Sequence, residues 1–569
     1  MKQKTKGILA FAFLGGILLT STVLFALPPP DPTMTEEEVA MEEQGFTKTG
    51  TLMDNFTDEE RSTFCGTKSA QSNSYVKEFD IPTLCTQPLA ITVAPNGLVW
   101  FAETNSGNIG MFDPNSESFT EFENSEWPDG ARSMMWGMDY SSDGSIWYTD
   151  STFDSIWRFD TSSGEYDRLE YPSSKSLTNI NIESLPQRLK VIGSDIFVND
   201  FTGNKITILD IAQGVGGEVI YTSIQSPLPD GFTGDFEIDQ NDNLWYTNWF
   251  PDSTGALIKF DLPKYMQATQ DSGNDDKYLQ EFVEFYDFPN DLNTANGLTT
   301  DSDGKIWIVD TSSNYFFRFD PLTDKFTKYT TSTPSQPSYG NNTGMIKSPV
   351  SRPYWISSDD NNLVFNEQTS NRIGIFDTQK ESLIEYSIPS RNPGWADCGV
   401  ITDYTESTGI FDTQKESLVE YFTPDSADCG VAQVFGFDII NDKIWFTEWA
   451  ENKIGVIDTA KALPISVDVD TDLVNVKKGE KSTLNLTLTY KDTSIHDTIE
   501  IISTNTAPYQ SFAYIYTTSE RNIIQNNQEI IEITVYTSEK SLPGAYKLLV
   551  GGQTDQVVVS KFIDIIIEP

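Results

Sequence analysis

Histidine is nearly absent: the 569-residue chain has one, His496. A catalytic triad built on histidine and a multi-histidine metal site are therefore excluded. Cationic residues are also scarce, with Lys+Arg 38 against Asp+Glu 84, a net charge of −46. A chain this acidic repels phosphate backbones, which excludes a nucleic-acid partner. There are only four cysteines, and one long uncharged run, Gly7 to Leu27. Hydrophobic residues make up 38% and aromatics 12% of the chain, enough for a large core.

The uncharged run follows Lys2, Lys4 and Lys6 and ends at Pro28-Pro-Pro30. A basic start followed by an apolar stretch is an export signal. It is long enough to span a bilayer as an uncleaved anchor. Cleavage after Ala26 is the competing reading, with Leu24 a poor fit to a small-residue site. Either way the remaining chain is expected outside the cell. Residues 1–27 are thus a signal peptide or signal anchor, a transmembrane helix if retained. Residues 28–73 are an acidic, Pro-containing spacer.

Four cysteines in an exported chain favour two disulfides, Cys65–Cys85 and Cys398–Cys429. Connectivity is not fixed by sequence, and Cys85–Cys429 would join the first repeat described below to the last. Asn55, Asn341 and Asn485 stand in Asn-x-Ser/Thr triplets, candidate glycan acceptors at a cell surface.

One pattern recurs seven times: an aromatic or apolar anchor with an acid or amide three residues later. The anchors are Trp100, Trp147, Phe197, Trp245, Trp307, Val364 and Trp445, followed by Glu103, Asp150, Asp200, Asn248, Asp310, Glu367 and Glu448. A second apolar run ends in Asp113, Asp160, Asp210, Asp261, Asp320, Asp377 and Asp458. The anchor-to-Asp distance is 13 residues in six copies and 16 in the fourth. With an apolar run before each anchor and a short strand after most of the aspartates, each repeat supplies four strands between Asn/Asp/Gly turns. Seven such repeats predict an all-β chain with a seven-bladed β-propeller at residues 74–462.

The last anchor spacing is 81 residues. Ile375-Phe-Asp-Thr-Gln-Lys-Glu-Ser-Leu-Ile-Glu-Tyr386 returns almost unchanged at 410–421, an offset of 35, and 81 − 35 = 46 is a normal blade. A local duplication over about 375–431 is therefore expected to add a surface excursion, not an eighth blade. Tyr75-Val-Lys-Glu-Phe-Asp-Ile81 is expected to close the ring as the outer strand of the seventh blade. Past Leu463, alternating apolar segments such as Thr483–Leu488 and Ile530–Val535 predict an immunoglobulin-like β-sandwich over 463–569. Its expected role is spacing or adhesion.

The run Ile444-Trp-Phe-Thr-Glu-Trp449, with Asn452-Lys-Ile-Gly-Val-Ile-Asp458, Asn108-Ile-Gly-Met-Phe-Asp113 and Arg372-Ile-Gly-Ile-Phe-Asp377, resembles the repeat of virginiamycin B lyase (streptogramin lyase). The resemblance covers roughly residues 75–460. It implies a seven-bladed propeller that opens a cyclic depsipeptide by elimination, with Mg²⁺ and a histidine base on one face. The family's histidine positions correspond here to Leu89, Trp136, Gln187, Gly234, Asn296, Pro353 and Phe435, so the base is missing. A shorter run, Asn296-Gly-Leu-Thr-Thr-Asp-Ser-Asp-Gly304, looks like the metal-binding segment of the gluconolactonase/regucalcin propellers. That match implies Asn296 as a divalent-metal ligand.

In a propeller the starts of inner strands and the ends of second strands share one face. Asn296, Asp310 and Glu448 are there the candidate ligands for Ca²⁺ or Mg²⁺. Glu103, Asp150 and Glu367 join the same acidic face, with Trp136, Trp249, Trp355 and Trp449 as candidate stacking surfaces for a planar ligand. The acids equally fit a structural role, accepting backbone N–H bonds in the turns that follow, and the tryptophans equally fit packing. Two functions remain. One is an exported or surface-anchored binding or scaffold propeller for a glycan, peptide or surface protein. The alternative is a divalent-metal-dependent lyase or lactonase on the acidic face.

Overall fold

The computed structural model describes residues 65–66, 69–127, 133–172, 174–175, 181–182, 184–210, 220–228, 231–250, 253–272, 281–334, 350–392, 410–412, 417–419, 430–491, 498–508, 515–521 and 527–569. The export segment, the spacer to residue 64, Asn55, Asn341, Cys398, Cys429 and His496 lie outside them. No helix among the described residues is long and apolar enough to cross a membrane.

Seven four-stranded antiparallel sheets stand in a closed ring, each touching the next and the seventh touching the first. Their inner strands are Pro88–Val93, Met138–Tyr140, Pro186–Ile192, Phe232–Ile238, Ala295–Thr300, Pro353–Asp359 and Val434–Ile440. The second strands carry the anchors, all seven of which are buried. An anchor packs on the Phe that precedes the terminal Asp of the next blade's third strand. Trp445 meets Phe112 at 5.6 Å, Trp100 meets Phe159 at 5.8 Å, Trp245 meets Phe319 at 6.1 Å and Trp307 meets Phe376 at 5.4 Å. This contact between neighbours gives a physical reason for the fixed anchor-to-Asp register: an insertion would pull one ring off the other.

Blades are also stitched through the residue preceding the acid. The Thr149 hydroxyl donates to the Gln187 carbonyl at 2.9 Å, Thr247 to Ala295 at 2.7 Å and Thr447 to Leu89 at 2.7 Å. The Asn199 and Asn366 amides do the same to Thr233 and Val434. Glycine lets these inner strands approach. A Cβ on Gly137 would sit 2.4 Å from the Gln187 carbonyl oxygen, and one on Gly436 would sit 2.2 Å from that of Leu89.

Val76–Asp80 pairs antiparallel with Lys453–Asp458, so the N-terminal strand closes the seventh blade as expected. Cys65 and Cys85 form a disulfide around this strand, one of the two expected pairs. Within the duplicated stretch, Ile410–Asp412 pairs with Ser417–Val419 as a separate two-stranded sheet among the described residues.

The C-terminal residues depart from a free spacer. Ile465–Val469, Lys481–Tyr490, Gln528–Thr537 and Ile515–Arg521 form one sheet. Facing it, Glu500–Asn505, Gly544–Gln553 and Val557–Glu568 continue directly into blade six, because Val557–Lys561 pairs with its outer strand, Ser382–Ser387. The far half of Val557–Glu568 pairs in parallel with Leu473–Lys477. One core runs through both parts, joining Tyr386, Ile444 and Ile457 of the ring to Leu486, Ile533 and Ile563. Asn485 is exposed on the first sheet and its amide donates to Asp470 at 2.8 Å.

Candidate functional site at the mouth of the ring

In six blades the inner strand bulges where it leaves the mouth: Pro88 pairs with Glu103 but Ile91 with Phe101, and Pro353 with Glu367 but Ile356 with Phe365. The same shift follows Pro186, Thr233, Ala295 and Val434. A bulge re-aims a side chain. The residue just inside each one is Leu89, Gln187, Gly234, Asn296, Tyr354 or Phe435, with Trp136 at the equivalent place ahead of Gly137 in blade two. The structure therefore corrects one assignment. In blade six the position belongs to Tyr354, because Pro353 is held opposite Glu367 as Pro88 is opposite Glu103.

Four of these seven positions form an apolar plug. Leu89, Trp136, Tyr354 and Phe435 pack together with Trp355, Val431, Trp449 and Ala450. Trp136 stacks on Tyr354 from the opposite side of the ring, centroids 5.9 Å apart and 10° between planes, and Phe435 meets it edge-on at 5.5 Å. The Arg188 guanidinium lies 4.7 Å over Trp355, with its Nε 3.4 Å from buried Asp235. The tryptophans expected to offer exposed stacking surfaces do not: Trp136 is 7% exposed and Trp249, Trp355 and Trp449 less. Trp249 stands apart from the plug, packed on Phe201 and Phe232.

Around the plug lies a set of buried amides. Gln87, Gln187, Gln368 and Gln433 are each 3% exposed or less. Nε2 of Gln87, both polar atoms of Gln187 and Gln368, Oε1 of Gln433 and Oδ1 of Asn296 make no hydrogen bond within the protein. Gln87 and Gln433 precede inner strands with φ of 50° and 56°, a left-handed conformation costly for a side chain this size. Sequence reasoning named Gln187 but missed Gln87, Gln368 and Gln433; the signal was a Gln immediately before or after a strand end in blades one, six and seven.

The acids of the face divide by length. The Asp residues reach back into their own turns, as the structural reading expects. Asp150 accepts from Thr152 and Phe153 N–H, the Ser133 hydroxyl and the Trp157 indole. Asp310 accepts from Thr294 and Ser312 N–H and from the Ser312 and Ser313 hydroxyls. Asp200 accepts from Leu185 and Gly203 N–H. The Glu residues, one methylene longer, face a second glutamate on the outer strand, Glu103 with Glu121, Glu367 with Glu385 and Glu448 with Glu78, and only Glu103 takes a bond from its own turn, the Ser106 hydroxyl at 2.8 Å. Each outer glutamate sits opposite a third-strand glycine, Gly110, Gly374 or Gly455, whose missing side chain makes room for Phe101, Phe365 or Phe446.

The outer glutamates take hydrogen bonds from the preceding connection: Thr83 N–H and hydroxyl to Glu121, Ser332 N–H to Glu385, Ser390 N–H and hydroxyl to Glu78. The inner glutamates have almost none, since both oxygens of Glu367 and of Glu448 lack a donor. Such an oxygen is satisfied when its carboxyl keeps a proton and gives it to the outer glutamate. Burial, then the neighbouring Glu121, pushes Glu103 up to about 8. Burial, then the second carboxylate, also raises Glu367 and Glu448 well above the usual carboxylate range.

These facts bear on the expected divalent cation. Asn296 and Asp310 share blade five and the Asn296 Oδ1 is unpaired, but Asp310 beside it is saturated by four donors. Glu448 stands in blade seven beside Lys453 and Glu78. Among the described residues no three acidic, histidine or cysteine side chains gather as a metal would need. The three named ligands do not fit Ca²⁺ or Mg²⁺ as one site.

No family model matches the sequence, and no curated protein is similar to it. Solved structures similar to the chain include virginiamycin B lyase from Staphylococcus aureus, at 18% identity over 67% of this chain and 98% of that one, TM-score 0.44. A streptogramin B lyase structure is similar at 20% identity over 67% and 96%, TM-score 0.41. The extracellular domain of a putative one-component system from B. thetaiotaomicron is similar at 13% identity over 88% and 60%, TM-score 0.42. Its own seven sheets make the chain a seven-bladed β-propeller, and virginiamycin B lyase is among the propellers it is similar to.

Proposed function

We propose that the chain is an exported binding propeller that takes an uncharged polar ligand, a peptide segment or a glycan, at the mouth of the ring. The observation carrying this reading is the make-up of the seven mouth positions. None offers a base, four make an aromatic and aliphatic plug, and unspent amides surround the plug. Buried polar groups are normally paired, so amides without protein partners at an opening are ready to meet a ligand's own amides or hydroxyls. The disulfide Cys65–Cys85 supports an oxidising compartment and hence export. Retention of residues 1–27 as an anchor, the division at residue 462 and an immunoglobulin-like character for residues 463–569 belong to this proposal.

The test is to screen the full chain against peptide and glycan arrays and to repeat each hit with Gln187→Ala. One lost hydrogen bond is worth about 1 kcal/mol and two about 2, so binding should fall roughly 5- to 30-fold. Thermal stability should fall little, because the polar group that the amide leaves behind is the neighbouring Tyr354 hydroxyl. An absence of hits, or hits indifferent to Gln187→Ala and Gln433→Ala, would remove the reading.

A further inference from the structure

The seam that closes the ring joins the two ends of the propeller sequence. On one side is the strand Val76–Asp80, on the other Lys453–Asp458, with the second strand Lys443–Glu448 behind it. Glu78 and Glu448 lie within this seam, 3% and 0% exposed. Their surroundings differ sharply. Glu78 accepts three hydrogen bonds, from Gln71 N–H at 2.8 Å, Ser390 N–H at 2.8 Å and the Ser390 hydroxyl at 2.5 Å. With three donors aimed at it, Glu78 serves as an acceptor. Glu448 accepts none, and three charged groups face it: Glu78 from the closing strand, Lys453 from the third strand and Glu451 from the turn between. The Lys453 ammonium, itself fully buried, lies 2.7 Å from a Glu451 oxygen.

Counting charge settles which carboxyl is neutral. With Glu448 protonated the seam holds one cation and two carboxylates. With Glu448 ionised it holds one cation and three carboxylates, all buried, and the third has no donor. Isolated buried charge is strongly disfavoured, so the proton stays on Glu448. Its O–H then meets the one nearby acceptor across the seam, Glu78.

We propose that ring closure is proton-locked: the Glu448 carboxyl donates to the Glu78 carboxylate, and removal of that proton at alkaline pH loosens the strand Val76–Asp80. No bond is made or broken besides the transfer of this proton to hydroxide. The Cys65–Cys85 disulfide encloses the same strand and limits how far it departs. The lock is local to the seam and independent of the mouth's proposed ligand.

Lys77 in the closing strand reports on it. Its side chain is 49% exposed, but trypsin cannot cut the paired backbone until the strand opens. The full chain is digested between about pH 7 and about pH 9.5, with a free peptide of the Lys77 sequence as the internal standard. Relative cleavage at Lys77 should rise at least about tenfold across this range, ahead of cleavage elsewhere in the ring. Glu448→Gln should flatten the rise while leaving the other two carboxyl pairs intact. Glu78→Gln should flatten it as well, and serves if the first variant does not fold. Reducing the disulfide should speed cleavage at every pH without changing the slope. A flat profile in the wild-type chain, or an equal rise in both variants, would overturn the proposal.

Discussion

Deleting residues 463–569 is expected to destroy the soluble ring instead of releasing it from a spacer. Val557–Lys561 is the fifth strand of blade six, and without it Ser382–Ser387 becomes a bare edge open to aggregation. The deletion also strips Phe562 from an aromatic nest: its ring lies 5.2 Å from Tyr329, 5.7 Å from Phe376 and 6.2 Å from Phe316. Glu381, at the edge of that blade, loses the Lys547 ammonium at 2.5 Å while still accepting the Tyr329 hydroxyl at 2.7 Å. The single substitution Phe562→Ala isolates the packing part and should cost about 3–5 kcal/mol, as for other buried aromatic truncations. Denaturant titration of the full-length variant measures it. A truncated chain that is monomeric and as stable as the full one would show that the two parts are separable.

Replacing Glu103 by Gln should stabilise the protein in alkaline solution and have little effect in acid. The folded chain holds a proton on Glu103 up to about pH 8, whereas an unfolded chain releases it near the ordinary value of 4.5. Folding therefore takes up a proton between these values, and stability from this group is full below about 4.5 and is lost as pH rises towards 8. Gln mimics the protonated carboxyl and removes that loss. The gain above pH 8 is bounded by the distance between the two values, 4.5 and about 8, which is up to about 5 kcal/mol. Melting curves of the two proteins should coincide near pH 5 and separate near pH 9, with the variant higher. Parallel curves at both values would mean that Glu103 is ionised in the fold throughout.

The ring was legible because its signals are local and repeated. An anchor and an apolar residue-Asp pair, 13 residues on in six of the seven copies, encode contact between neighbouring blades, and a spare strand ahead of the first repeat encodes closure. The fifth strand of blade six was not legible. Phe562–Ile567 reads as a strand in any sheet, and nothing in its alternation names Ser382–Ser387 as the partner. At the mouth, a spacing of eleven residues from the anchor placed four of the seven positions, and a one-residue gap in blades three and seven placed Gln187 and Phe435. Blade six needs the same gap, which moves its position from Pro353 to Tyr354.

The acids were grouped as one ring because sequence position does not separate Asp from Glu by reach. A methylene decides whether a carboxylate closes its own turn, as Asp310 does, or meets another carboxyl across the blade, as Glu448 does. The second members, Glu78, Glu121 and Glu385, were visible only as polar residues of outer strands. Their link to Gly455, Gly110 and Gly374 appears once the strands are paired.

The proposed function makes the mouth of the ring a binding surface and not a metal-dependent reaction centre. The most direct test is to purify the full chain without chelator, dialyse it against Ca²⁺ and Mg²⁺, and count tightly held divalent ions per chain beside an Asn296→Ala variant. The account predicts no stoichiometric ion that depends on Asn296. About one ion per chain, lost in Asn296→Ala, would contradict it and restore the lyase or lactonase reading.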